Sequence, residues 1–275
     1  MKPVDDFFKS ITHLPSVPKV VQEVMQIMHQ PEPDINALAK VINCDAAISA
    51  KVLRMANSSY YGATRTIKTI NDAVAMIGLS KLNTLVVASG VTGAFTDIPG
   101  MDLKKFWRHS LVTASVSREI AKVLGQDPEV AYLSGLIHNI GTLLMHIVFP
   151  KSGEDIASVC KGASVEERRL VEHNILGIDH CQVGEDLAKR WNFPDEIQRV
   201  IRYYATPLDP HACDLAPIIY MAAHIAFCLE HREEAKHIAE TLNSDISKKL
   251  NIDRIEWVDR IESYSIYVQE AENLM

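Results

Sequence analysis

The sequence predicts an all-α protein of two helical lobes, and three observations carry that prediction. Apolar residues recur at three- and four-residue steps through most of the chain, as Leu133, Leu136, Ile137, Ile140, Leu143, Leu144 and Ile147 do within Ala131–Phe149. Residues that cap helices, among them Asp34, Asp45, Asp102 and Ser164, stand directly before such runs. No segment shows the alternating pattern of a half-buried strand.

In chain order, Ser16 to His29 reads as a helix, with Val17, Val20, Val21, Val24, Met25 and Met28 on one face and Pro18 in the first turn, where proline is tolerated. Pro31 and Pro33 end it. Asp34 caps a helix over Ile35–Asn43 and Asp45 one over Ala46–Asn57, which the turn formers Asn57-Ser-Ser-Tyr-Tyr-Gly62 stop. Ile70–Ile77, closed by Gly78, and Ser80–Val91 form a further pair. Gly90, Gly93, Pro99 and Gly100 then cluster, so the lobe boundary is expected near Asp97, giving lobes 1–97 and 98–275.

Asp102 opens a helix to about Leu124, and the connector Gly125-Gln-Asp-Pro128 turns it into an antiparallel hairpin with a continuous helix over Ala131–Phe149. Beyond Pro150, helices are expected at roughly Gly153–Lys161, Ser164–Asn174, Asp179–Trp191, Asp195–Tyr204, Leu215–His231 and Glu233–Leu250, with a last one from Asp253. Ser164 and Glu167 have the spacing of a capping box.

Composition narrows the function classes. A 275-residue chain with 47% apolar and 23% charged residues can bury a substantial core without metals or disulfides. The net charge of −7 argues against a broad phosphate-binding surface, because nucleic-acid affinity comes largely from counterions released by Lys and Arg. Cys44, Cys160, Cys181, Cys213 and Cys228 are odd in number and contain no Cys-x-x-Cys, as in a reducing compartment. The N-terminus lacks the apolar core of a signal peptide, and the apolar run Leu215–Leu229 is too short to cross a bilayer. A cytoplasmic protein with no membrane partner is expected.

Four histidines of the second lobe could form one cluster: His109 and His138 on the hairpin, His180 in the first turn of its helix, and His224 within an apolar helix. His109 and His138 lie almost equally far from the connector, about 20 Å along each helix, so they should meet side by side. Imidazoles from several helices could hold one divalent ion such as Fe, Zn, Mn or Ni, although an isolated histidine on an apolar face is more often a hydrogen-bonded core residue. The set lacks negative charge. The residue after His138 is Asn139, Asp179 reads as an N-cap, and Glu172 reads as a solvated helix residue. His224 and Cys228, at i, i+4 spacing, read as packing rather than as a zinc pair.

In the first lobe, Asp34–Asn57 could be taken for a helix-turn-helix, but its second helix offers only Lys51 and Arg54 as cations, so nucleic acid is not the expected partner. Tyr60, Tyr61, Arg65 and Lys68 make an aromatic and basic cluster in a turn, a candidate surface for a protein partner.

Several separated motifs, in order, carry a family resemblance: Leu14-Pro-Ser-Val-Pro18, Ala56-Asn-Ser-Ser-Tyr-Tyr-Gly62, Ala73-Val-Ala-Met-Ile-Gly-Leu79, Phe106-Trp-Arg-His109, Gly135-Leu-Ile-His-Asn-Ile-Gly141, Asp179-His-Cys-Gln-Val-Gly184 and Arg190-Trp-Asn-Phe-Pro194. From about Leu14 to Tyr204 the chain resembles the HDOD family, a degenerate branch of the HD phosphohydrolase superfamily. The resemblance implies an N-terminal helical lobe packed on an HD-like helical lobe, and it matches His109, the pair His138-Asn139 and His180 to metal ligands of active HD enzymes. A further ligand His falls near Tyr203 or Tyr204 and a closing Asp near His224, so two carboxylates and one imidazole are replaced, with Asn139, Tyr203 and Tyr204 expected to line the degenerate pocket.

The resemblance therefore implies a non-catalytic regulatory module that requires no cofactor. Such a module binds a protein or small ligand, with kinases, response regulators or cyclic-dinucleotide enzymes as partners. A metal-dependent phosphohydrolase with a reduced one-metal site is the alternative, and a DNA-binding regulator the third.

Overall fold

In the computed structural model, residues 3–11, 14–28, 30–57 and 65–274 are described, and among them every regular element is a helix. The chain divides into two compact units, Pro15–Thr96 with Glu270–Met275, and Met1–Leu14 with Asp97–Gln269. The terminal segments thus depart from the contiguous division at residue 97. Three contacts account for it. An unforeseen first helix, α1 (Pro3–Lys9), sets Phe7 against Phe149 and Phe8 beneath Arg190, while the Leu274 carbonyl accepts a hydrogen bond from Arg54.

The smaller unit contains α2 (Lys19–Met28), α3 (Ile35–Asn43), α4 (Ala46–Ala56), α5 (Ile70–Ile77) and α6 (Leu79–Gly93). Asp34 and Asp45 cap α3 and α4 through their carboxylates, as the sequence predicts. α2 starts at Lys19 rather than Ser16, with the Pro18 carbonyl accepting its first backbone bonds. Val21, Leu38, Val52 and Leu85 form the core.

The larger unit is built on α7 (Leu103–Val123), which packs along α8 (Pro128–Ile137) and α14 (Leu215–Glu230). Gly135 lets α7 and α8 close tightly, since a Cβ there would lie 2.8 Å from the Ala114 Cα. The hairpin is further pinned by buried Arg118, which donates to Glu129 at 2.7 Å and lies 3.9 Å over the Tyr132 ring.

The expected continuous helix over Ala131–Phe149 is broken. α8 ends at Ile137 and α9 (Ile140–Val148) begins two residues later. The cause is local: His138 Nδ1 takes the Gly135 carbonyl at 2.7 Å, the acceptor an uninterrupted helix would offer to Asn139 N–H, and Asn139 turns to φ −106°, ψ 19°. Thr142 bonds back to Asn139 through both its amide and its hydroxyl. By length and composition Pro128–Val148 could cross a bilayer, yet 83% of its most apolar window is buried inside the protein.

α10 (Pro150–Val159), α11 (Val165–Leu176), α12 (His180–Arg190) and α13 (Asp195–Tyr203) follow, α11 and α12 each opened by a complete capping box. The single helix expected over Glu233–Leu250 is two, α15 (Ala235–Thr241) and α16 (Ser244–Lys249), because Asn243 caps the second by accepting from Asp245 and Ile246 amides. The last expected helix is likewise split into α17 (Val258–Ser263) and α18 (Ile266–Leu274), with Ser263 and Ser265 hydroxyls donating to nearby carbonyls at the break.

Candidate functional site

The site lies wholly within the larger unit, and two glycines set its geometry. Gly135 brings His138 beside α7, and Gly141 opens α9 so closely against the first turn of α12 that a Cβ would overlap the His180 carbonyl oxygen. His138, at the corner between α8 and α9, and His180, at the start of α12, are held in place by backbone contact as much as by side chains.

Three of the four candidate histidines converge there. The rings of His109 and His138 are 6.0 Å apart, as the hairpin predicts, and those of His138 and Tyr204 4.8 Å apart, edge to face. Tyr204 continues the chain to His180, whose Nε2 is 2.6 Å from the tyrosine hydroxyl. His224 is not part of the cluster. It faces α15, with Nε2 3.0 Å from Thr241 Oγ1 and 3.7 Å from Cys228 Sγ. Burial, then the Glu233 carboxylate, pushes the Cys228 thiol up to about 12, which suits packing rather than metal ligation or nucleophilic attack.

The expectation that Glu172 is solvated is wrong. Glu172 is 1% exposed and accepts from His180 Nδ1 at 2.5 Å, from the His180 amide at 2.9 Å and from Arg168 Nε at 2.9 Å. α11 reaches this position because its Gly177 C-cap adopts φ 71° and turns the chain back along α12. Burial works against the Glu172 charge, but His180 and Arg168 outweigh it and bring the carboxyl down to about 2. Burial likewise opposes charge on His180, yet the adjoining Cys181 and the Glu172 carboxylate push it up to about 10. The pair is an internal imidazolium–carboxylate ion pair.

His138 behaves in the opposite way. Burial, then the like charges of His109 and His180, pushes it down to about 3, against the pull of the Gly135 carbonyl. It is a neutral imidazole whose Nδ1–H donates to Gly135. His109 Nδ1 meets Glu230 Oε2 at 2.7 Å, and Glu230 also accepts from Arg108 Nε at 3.0 Å. Burial would raise the Glu230 carboxyl, but His109 and Arg108 hold it below its ordinary value.

Glu172, Glu230 and their arginines are the residues that sequence reasoning missed. The i, i+4 pair Arg168/Glu172 and the adjacent Arg108-His109 were the available signals. Both carboxylates sit behind imidazoles, on Nδ1, and neither joins a group of acid, cysteine and histidine donors able to hold an ion; among the described residues no such group of three exists. The cluster does not fit the paired-cation centre of an HD enzyme: Asn139 stands in place of a carboxylate and bonds to Thr142, His180 has both ring nitrogens committed, and His224 lies elsewhere.

Of the remaining candidates, Tyr204 is buried in the cluster, whereas the half-buried Tyr203 stacks on His211, with ring centroids 6.3 Å apart. Tyr60 and Tyr61 lie outside the described residues. Arg65 pairs with Asp72 at 3.2 Å, and Lys68 is exposed. On α4, Arg54 donates to the Leu274 carbonyl.

Comparison with known proteins places this arrangement. The HDOD domain model matches residues 14–207. A candidate phosphohydrolase from Shewanella amazonensis SB2B superposes with a TM-score of 0.82 at 28% identity, covering 98% of this chain and 97% of its own. An HDOD domain protein of unknown function from Geobacter sulfurreducens gives 0.82 at 22% identity, covering 99% and 97%. A candidate signal transduction protein from Marinobacter aquaeolei VT8 gives 0.75 at 23% identity, covering 99% of this chain and 60% of its own. An uncharacterized protein of Treponema pallidum (strain Nichols) is 24% identical over 209 residues, which are 74% of this chain and 39% of that longer protein. With most of its length matched by the family model, the chain belongs to the HDOD domain family.

Proposed function

We propose that this chain is a non-catalytic regulatory module that acts by binding signalling proteins in a reducing, cytoplasmic setting. The observation that supports it is the position of the acidic oxygens. Glu172 and Glu230 lie on the outer nitrogens of His180 and His109, each matched by an arginine, so no carboxylate is offered to a pair of cations at the centre of the cluster. A hydrolytic metal centre needs such charge to hold its ions and to lower the pKa of the attacking water. The framework of helices needs none of it.

A kinase, a response regulator or a cyclic-dinucleotide enzyme is the class of partner proposed, in line with the signalling description of the Marinobacter protein. The test is direct. With Mn²⁺, Fe²⁺ or Zn²⁺ supplied, bis(p-nitrophenyl) phosphate should be hydrolysed no faster than in buffer and no faster than by His138→Ala. Turnover that His138→Ala abolishes would overturn the reading in favour of a one-metal enzyme, phosphohydrolase being the description given to the Shewanella protein.

A further inference from the structure

We propose that Tyr204 is the residue that shuts the imidazole cluster to divalent cations: its hydroxyl oxygen accepts from His180 Nε2–H while Glu172 accepts from Nδ1–H, so an internal phenol–imidazolium–carboxylate chain stands where an ion would have to bind. This rests on the regulatory reading and adds one residue to the misplaced carboxylates that support it. A metal–imidazole bond needs the lone pair of one ring nitrogen, with the other usually donating to an oxygen behind it. His109 and His138 meet that requirement through Glu230 and the Gly135 carbonyl, at 2.7 Å each. His180 meets the second half through Glu172, but at 2.6 Å the Tyr204 oxygen occupies the line along which a cation would approach.

The obstruction is not a side chain that can swing aside. Tyr204 is 2% exposed, its ring packs edge to face on His138, and its backbone closes α13, which lies against α12. An imidazole in place of Tyr204 is the shorter side chain and exchanges the phenol oxygen for a ring nitrogen.

The experiment uses the full chain and Co²⁺, whose visible bands report coordination by imidazole. Wild type should show no bound-cobalt spectrum at equimolar metal. Tyr204→His should bind one Co²⁺ at least about tenfold more tightly, with bands that a second substitution, His138→Ala, removes. Tyr204→Phe keeps the ring and removes the oxygen facing His180 Nε2–H, leaving only a proton that a bound cation must displace, so it should gain weaker binding of the same kind, and it carries the test if Tyr204→His does not fold by circular dichroism. A wild-type cobalt spectrum lost in His138→Ala, or folded variants that bind no better than wild type, would overturn the inference. Phosphodiester turnover in wild type without cobalt at His138 would sink the regulatory reading alone.

Discussion

Two arginine–glutamate–histidine couples flank the cluster, and they differ in one respect. Arg168–Glu172–His180 ends in an imidazole that is 0% exposed, with its second nitrogen on Tyr204, whereas Arg108–Glu230–His109 ends in an imidazole whose side chain is 26% exposed. The chemistry is the same and the surroundings are not. At the buried end the couple is structural, because a carboxylate taken out of water must keep its partners. At the His109 end it orients a ring that solvent reaches.

The comparison is sharpest where it can be broken by truncation. Glu172→Ala leaves a buried imidazolium without its counter-charge and should cost about 3–5 kcal/mol in urea denaturation. A loss near zero would make the two ends equivalent. Gly141→Ala forces a methyl against the His180 carbonyl and should cost about 1–3 kcal/mol, with weakened amide protection at the α12 N-terminus in hydrogen exchange.

The pH dependence separates the ends further. His180 is raised from 6.5 to about 10, so its contribution to stability is present below pH 6.5 and is lost as pH climbs toward 10. Glu172 is lowered from 4.5 to about 2, so its contribution is present above pH 4.5 and is lost as pH falls toward 2. His138, lowered from 6.5 to about 3, takes up its proton more readily unfolded, which erodes stability as pH drops through that same interval. Denaturation midpoints should peak near pH 6.5, and His180→Gln should flatten the alkaline limb.

At the His109 end, Glu230→Gln keeps a buried amide oxygen to accept from partners whose side chains are 31% and 26% exposed, so it should cost only about 1 kcal/mol. Arg65→Ala, in the smaller unit, removes an ion pair with a guanidinium side chain 67% exposed and should change stability by less than about 0.5 kcal/mol. A larger loss there would point to a structural role for that turn.

Much of the helical framework was legible in the sequence because its signals are local. Asp34, Asp45, Asp102, Ser164 and Asp179 cap the helices their positions predict, and the short connector at Gly125–Pro128 brings His109 to His138. The breaks at Asn139 and Asn243 were not legible, since apolar periodicity runs through both and a side chain's competition for a carbonyl or amide decides them. The site was half legible. Which histidines meet follows partly from helix geometry, but the burial of Glu172 depends on how α11 folds back onto α12, and the distance of His224 from the cluster depends on the rotation of α14. Neither leaves a mark in residue spacing.

The contact at Gly141 has a mechanical consequence. With main chain resting on main chain between α9 and α12, there is no compliant side chain at that point to absorb displacement, as there is elsewhere in a close-packed interior. A tilt imposed on one of these helices must be taken up by the other. Movement of the corner that carries His138 is therefore geared to the first turn of α12, and a binding event felt at either would be registered at both.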